Sequence, residues 1–147
     1  MRGLVFDFYH DAKALAVDIG VVYNLTIDKI NILQASFLAM RRAIKKLAVS
    51  PDCILLDGAF KIPKLDKPQT AIVKGDATVW AIAAASIIAK VSRDYLMSEI
   101  DKQYPIYEFA KHKGYGTKLH FAKIKEYGPC PLHRQSFSPI KELIEKK

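Results

Sequence analysis

The chain has 147 residues, enough for one domain with a sizeable core. Half of them are hydrophobic and 26% are charged, an ordinary balance for a soluble globular protein, which excludes a disordered tail or a low-complexity tract. The formal charge of +8 points to a polyanionic partner, nucleic acid before membrane, a signal shared with many basic proteins that bind no nucleic acid.

In chain order, residues 1–11 (MRGLVFDFYHD) carry an early arginine and soon turn acidic. They lack a long apolar core and a small-residue cleavage site, so no secretory signal is read there. Residues 14–23 (ALAVDIGVVY) are rich in β-branched Val17, Val21 and Val22 and predict a strand. Leu33, Phe37, Met40, Ile44 and Leu47 recur at helical spacing. They predict an amphipathic helix over residues 28–48, with Arg41, Arg42, Lys45 and Lys46 on its other face. Ser50-Pro51 ends it. The run from Cys53 through Leu56 is apolar and stops at Asp57-Gly58, which predicts a short buried strand with a carboxylate at its C-terminal tip. Residues 61–69 contain Pro63 and Pro68 and predict a loop. Thr70-Ala71-Ile72-Val73 predicts a second short buried strand, leading into Lys74-Gly75-Asp76.

A long helix is expected over residues 78–103. Its first half is the most apolar stretch of the chain, too short to cross a bilayer, and is expected to be buried nearly all round. Pro105 stops it. Residues 111–118 (KHKGYGTK) predict a polar, glycine-bearing loop, after which Thr117 caps a short helix through Tyr127, closed by Gly128-Pro129. A last helix opens at Pro139 with Ser138 as its cap. Strands separated by helices indicate an α/β layered fold. With no linker or repeat in view, residues 1–147 are read as a single domain. Cys53 and Cys130 are too few and too far apart for a disulfide framework or a zinc cluster, which suggests a reducing, cytoplasmic setting.

Asp57 and Asp76 are the sharpest chemical feature. Each follows a short apolar strand and each stands beside glycine. If the strands are parallel neighbours, both carboxylates emerge at one edge of the sheet, where open α/β sheets bind ligands. A pair of close carboxylates suits a hard divalent cation; the other reading is that each Asp caps the turn that follows it. The 111–118 loop mixes lysines, an aromatic and two glycines. Gly admits close backbone approach, Lys113 can neutralise phosphate, and Tyr115 can stack on a base or sugar. A solvated surface loop with an anchored tyrosine has the same composition. His133-Arg134 offers phosphate contacts or a capping role. His10 and His120 read as ordinary surface or helix residues.

Taken in order, these segments resemble the ribonuclease HII family. The matching stretches are Ile27-Asp28-Lys29-Ile30-Asn31-Ile32-Leu33, Leu38-Ala39-Met40, Leu56-Asp57-Gly58 and Ile72-Val73-Lys74-Gly75-Asp76. They continue with Ile82-Ala83-Ala84-Ala85-Ser86-Ile87-Ile88-Ala89-Lys90-Val91, Arg93-Asp94, His112-Lys113-Gly114-Tyr115-Gly116-Thr117, Gly128-Pro129-Cys130-Pro131, His133-Arg134 and Ser136-Phe137. The resemblance implies a ribonuclease H-like mixed sheet flanked by helices. It implies Mg²⁺- or Mn²⁺-dependent endonuclease cleavage of RNA in RNA–DNA hybrids and at single ribonucleotides embedded in DNA, leaving a 3′-hydroxyl and a 5′-phosphate. Among the family's four carboxylates, Asp57 matches the third and Asp76 the fourth. Tyr115 matches a tyrosine that senses the RNA–DNA junction, with Lys113, His133 and Arg134 as further substrate contacts. Asp94 matches a common position and is expected to be a helix-surface or ion-pair residue. A monomer with a place in DNA replication and repair is expected.

The departures are specific. The family opens with a strand bearing Gly-Ile-Asp-Glu-Ala-Gly-Arg-Gly, which supplies the first two carboxylates and the loop that reads the 2′-hydroxyl. The chain has no such motif, and residues 3–9 match the region after it. Asp18 lies on the strand that follows and is not its substitute. Ala59 stands where the family usually has asparagine. The expectation is therefore a domain missing its N-terminal strands, impaired or inactive alone, with a non-catalytic hybrid-binding remnant or a non-functional relic as the other readings.

Overall fold

A computed structural model describes residues 14–145, in two units that divide between Ile72 and Val73. Residues 3–9 and His10 lie outside the described residues. The division falls at the end of a strand, where the sequence shows no linker.

In the first unit, helix α1 spans Asn24–Lys46, followed by strands β1 (Ile54–Asp57) and β2 (Gln69–Ile72). The helix starts four residues ahead of the expected boundary and bends at Asn31, whose φ is 64° and ψ 168°. Asparagine tolerates positive φ better than most side chains. Its Oδ1 accepts the Gln34 N–H at 3.1 Å, which caps the second half of the helix. The apolar periodicity, beginning at Leu33, belongs to that second half. It places Phe37 in a core with Ile54, Leu56 and Ile62, flanked by Met40, Ile44 and Leu65.

β1 and β2 pair in parallel, with Ile54 opposite Gln69 and Asp57 opposite Ile72, and the Gly58 N–H donates to the Ile72 carbonyl at 2.9 Å. The expected strands are present within a residue of their predicted limits, but β2 is not the buried strand expected: its residues are half-buried or exposed, and Val73 beyond it is exposed. Burial along β1 alternates: Ile54 and Leu56 enter the Phe37 core, while Leu55 and Asp57 are exposed. The loop between the strands is closed by one side chain. The Gln69 amide oxygen accepts the Ile62 N–H at 2.7 Å, and its nitrogen donates to the carbonyls of Ile62 (3.1 Å) and Leu65 (3.3 Å). Those bonds satisfy backbone groups beside Ile62, which is 2% exposed.

Residues 14–23, expected as a strand, pair with no strand among the described residues. This segment is fixed against α1 instead. The Arg42 guanidinium donates to the Val21 carbonyl at 2.6 Å, Asp18 lies 3.6 Å from the Lys46 ammonium, and a Cβ at Gly20 would stand 1.8 Å from the Ala39 carbonyl oxygen. The β-branched valines set the propensity, and contact with the helix sets the outcome.

The second unit is helical: α2 (Gly75–Thr78), α3 (Trp80–Gln103), a 3₁₀ turn (Pro105–Tyr107), α4 (Phe109–His112), α5 (Lys118–Tyr127) and α6 (Ile140–Glu145). Val79, in an extended conformation, separates α2 from α3, so the long helix expected over residues 78–103 begins at Trp80 and ends at Gln103. The first half of α3 is not the buried segment its composition suggests. Ile82 is buried, but Ile87 and Val91 are exposed and Trp80 is 92% exposed. The turn and α4 pack on the other half, where Met97 joins Tyr107, Phe109 and Cys130, with Ile100 and Tyr104 alongside. Thr117 caps α5 as expected, its Oγ1 accepting the His120 N–H at 3.2 Å, and Gly128, at φ 74°, closes it. Ser138 differs: its hydroxyl donates to the Glu142 carboxylate at 2.6 Å, inside the first turn of α6. No described helix is long and apolar enough to cross a membrane. The two cysteines are free thiols, Cys53 exposed and Cys130 buried.

Ile62→Ala is expected to cost about 2–5 kcal/mol, because the Phe37 core cannot close fully over the void. Phe60→Ala, at a side chain 62% exposed, should stay within about 0.5 kcal/mol. Urea midpoints of the two variants check this, and equal losses would show that the loop closed by Gln69 does not seat Ile62 in the core.

Candidate functional site

Asp57 is placed by the strand period. It ends β1, points away from the Phe37 core and is exposed. Because β2 runs parallel and ends opposite it, the chain leaves β2 at the same edge. Four residues on, after Lys74 in the left-handed conformation (φ 55°), Asp76 lies in the first turn of α2 and is also exposed. Asp57 belongs to the first unit and Asp76 to the second. Among the described residues, no group of three or more His, Cys, Asp and Glu side chains is gathered as a metal site.

The glycine-bearing loop is held tightly at its stem and open at its tip. Lys113 (φ 52°) and Gly114 (φ 76°) reverse the chain after α4. Gly114 passes so near α3 that a Cβ there would lie 3.2 Å from the Met97 methyl. The Lys113 ammonium donates to Ser98 Oγ at 2.7 Å, and Arg93 Nη2 donates to the Lys113 carbonyl at 3.4 Å. The Arg93 guanidinium also stands 5.9 Å from the Tyr115 ring centre, within cation–π reach. Tyr115 itself is 53% exposed. Glu108, just before α4, pairs with Lys111 and with Lys123 at 3.1 Å, and hydrogen bonds from those two ammonium groups hold its carboxyl below the usual range. Arg134 lies 4.1 Å over the half-exposed Phe137 ring.

Beneath this loop three imidazoles are packed together. His112 and His120 are 5% and 7% exposed and stack with ring centres 4.2 Å apart. His133 sits 3.3 Å from His120 through their Nε2 atoms and faces the Tyr107 and Phe109 rings. Its Nδ1 accepts the Cys130 N–H at 3.0 Å. Both ring nitrogens of His133 thus meet protein groups, whereas its neighbour Arg134 is directed at Phe137. His120, which reads as a surface or helix residue in the sequence, is buried at the centre of the group. No sequence signal marks it, because its partners come from three separate segments.

The ribonuclease HII family model matches residues 9–140. The chain belongs to the ribonuclease HII family. It is 52% identical over 145 residues to the ribonuclease HII of Endomicrobium trichonymphae, covering 99% of this chain and 69% of that protein. It is 51% identical over 141 residues to the one from Psychromonas ingrahamii (96% and 68%). With the one from Geobacter metallireducens the identity is 54% over 131 residues (89% and 61%). The chain thus spans about two thirds of the length of these relatives. In three dimensions it is similar to the crystal structure of ribonuclease H2 from Pyrococcus horikoshii OT3, with a TM-score of 0.66 and 25% identity over 85% of this chain and 66% of that one. The α/β architecture expected from the resemblance is therefore that of a ribonuclease HII. Asp94, in the family-matching Arg93-Asp94 pair, is an ion-pair residue here, 2.6 Å from the Lys90 ammonium one turn away.

Burial draws the His120 and His133 imidazoles below the ordinary value of 6.5, against the backbone hydrogen bonds that favour their charged forms. In the unfolded chain both regain that value. As pH falls through about 6.5, the unfolded chain takes up protons the folded one resists, so stability is full above that pH and declines below it, levelling off under the depressed folded values. Thermal midpoints should drop between about pH 7 and pH 5. A chain carrying both His120→Gln and His133→Gln should show a flatter profile, and an unchanged profile would place the acid sensitivity elsewhere.

Proposed function

We propose that the chain carries ribonuclease HII chemistry: endonucleolytic hydrolysis at the RNA strand of RNA–DNA hybrids and at ribonucleotides embedded in a DNA duplex, leaving 3′-hydroxyl and 5′-phosphate ends. The observation that carries this reading is the half-exposed Tyr115 ring at the tip of a clamped glycine loop, in a chain of this family. Tyr115 stacks on the sugar or base at the RNA–DNA junction, where the 2′-hydroxyl distinguishes the two strands. Lys113 and Arg134 lend positive charge beside phosphate, while the ring nitrogens of His133 face Cys130 and His120. Asp57 and Asp76 are the two acidic residues of the reaction.

The donor chemistry suits a hard divalent cation. Both side chains are exposed carboxylates, the oxygen ligands that Mg²⁺ and Mn²⁺ prefer. Such a cation, when bound, supplies charge neutralisation at phosphate and a more acidic water. Within these 147 residues the family's first two carboxylates have no counterpart, so the negative charge and the positioning of phosphate are both reduced. The chain alone is then a weak nuclease that still binds hybrids in a salt-sensitive way through its excess of basic residues. Its free thiols fit a reducing, cytoplasmic setting, and a monomer suffices for this chemistry.

The test is incubation of the purified chain with a DNA duplex containing one ribonucleotide, with Mg²⁺ or Mn²⁺, alone and with a fragment that carries the family's opening Asp-Glu strand. Cleavage in the second tube, absent in the first and abolished by Asp57→Asn or Asp76→Asn, is the expected result. Efficient cleavage by the chain alone would show that other carboxylates here replace the missing pair. Binding without cleavage in either tube would make it a non-catalytic hybrid-binding protein.

A further inference from the structure

We propose that His120, oriented by His133, is a positioning residue for Tyr115, holding the peptide that carries the substrate-facing ring through a chain of hydrogen bonds that starts at the Cys130 backbone. The inference rests on the reading of Tyr115 as a substrate contact.

The order of the protons follows from one donor that has no choice. Of the Cys130 backbone groups, the carbonyl stands at 3.3 Å and the N–H, which has only a proton to offer, is nearer, 3.0 Å from His133 Nδ1. That nitrogen therefore presents its lone pair, and the single proton of the neutral His133 ring sits on Nε2. Nε2 stands 3.3 Å from His120 Nε2, which accepts. The proton of His120 is then on Nδ1, 3.0 Å from the Tyr115 carbonyl, which accepts it. The same carbonyl also accepts the Thr117 N–H at 2.8 Å. One backbone donor thus fixes two tautomers and ends on the Tyr115 peptide.

The neighbouring peptide is held by a parallel device. The Gly114 N–H donates to His112 Nδ1 at 3.2 Å, so His112 is protonated at Nε2 and donates to the Tyr107 carbonyl at 2.8 Å. The ionisable groups around His120 are His112 on α4, and His133 with the Cys130 thiol in the segment after α5; Phe109 and Phe121 complete its walls. None is a carboxylate, and burial outweighs the backbone hydrogen bonds that favour an imidazolium at His120 and His133, so the neutral relay is the form that fits these contacts. The ring of Tyr115 is steadied separately by Arg93. Beside the backbone bonds of Tyr115 to Thr117 and His112, the His120 bond is the side-chain link made to the Tyr115 backbone itself.

Two substitutions separate positioning from filling space. His120→Asn keeps an N–H donor near the place of Nδ1, whereas His120→Gln puts its amide near the place of Nε2 and leaves the Tyr115 carbonyl without that donor. In long-range ¹H–¹⁵N spectra of the histidine-labelled chain, His133 should be protonated at Nε2 alone and His120 at Nδ1 alone. The opposite tautomer in either ring overturns the relay. In fluorescence-anisotropy titrations, the preference of the chain for a duplex with one ribonucleotide over an all-DNA duplex should fall about fivefold in His120→Gln, the loss of roughly one hydrogen bond, and be retained in His120→Asn. Equal losses in both variants, following their thermal midpoints, overturn the positioning role. If the unsubstituted chain does not discriminate between the duplexes, the substrate reading of Tyr115 fails. The tautomers, with the Tyr115 amide shift in His120→Gln against His120→Asn, then still decide whether His120 sets that peptide. Should His120→Gln not fold, the tautomers of the unsubstituted chain and the retained preference of His120→Asn decide it.

Discussion

Burying imidazole next to imidazole imposes a strict condition: each ring nitrogen needs a partner of the opposite kind. The second unit is built around that condition. His112, His120 and His133 come from α4, α5 and the segment after it; His112 and His120 are hydrogen bonded to backbone groups outside their own helices, and His133 to the Cys130 backbone of its own segment and to the His120 ring. Tyr107 adds a fourth tie, its hydroxyl donating to the Gly128 carbonyl at 2.8 Å. The loop with Tyr115 is therefore not a free surface loop. Its tip is exposed because its stem is bonded inward, which is the arrangement a rigid contact residue needs.

The first unit solves a similar problem with one amide. Residues 61–69 cross from one strand to the next with two prolines, and proline removes backbone donors. Gln69 supplies both an acceptor and donors to the loop that precedes it, so Ile62 is buried without stranded polar groups. With that loop closed, β2 lies parallel to β1, and both strands end at one edge. Asp57 is exposed there for a reason that has nothing to do with its charge: it stands one residue out of phase with Leu56.

The positive charge is less available than the count suggests. Lys90, Lys102, Lys111 and Lys123 pair with carboxylates, Lys113 is bonded to Ser98, and Arg42 is bonded to a carbonyl. Exposed pairs of this kind stabilise little, and salt screens them. What they do is fix where the remaining cations lie. Arg93 and Arg134 keep their guanidinium faces on Tyr115 and Phe137, so charge and aromatic surface occur together, the combination that suits a nucleic acid strand.

Local chemistry decided much of this before any tertiary contact. The run from Ile54 to Asp57 ends where glycine follows, Thr117 caps α5 through its own side chain, and the spacing of Phe37, Met40 and Ile44 marks the face of α1 that meets the strands. The family was legible for the same reason: its residues recur in order along the chain, and order survives without coordinates. Other features depend on segments far apart in sequence. Residues 14–23 have strand propensity, but among the described residues no neighbouring strand pairs with them, and Gly20 instead lets them lie against α1. The apolar first half of α3 is exposed because the elements of its own unit pack on the other half. His120 gives no sign in the sequence, since a buried histidine is defined by its partners, and those at Tyr115 and His133 are brought to it only when α4, α5 and the segment after α5 close on one another. Propensity and pattern act over a few residues; the pairing of strands and the protonation of buried rings are settled by what the folded chain places beside them.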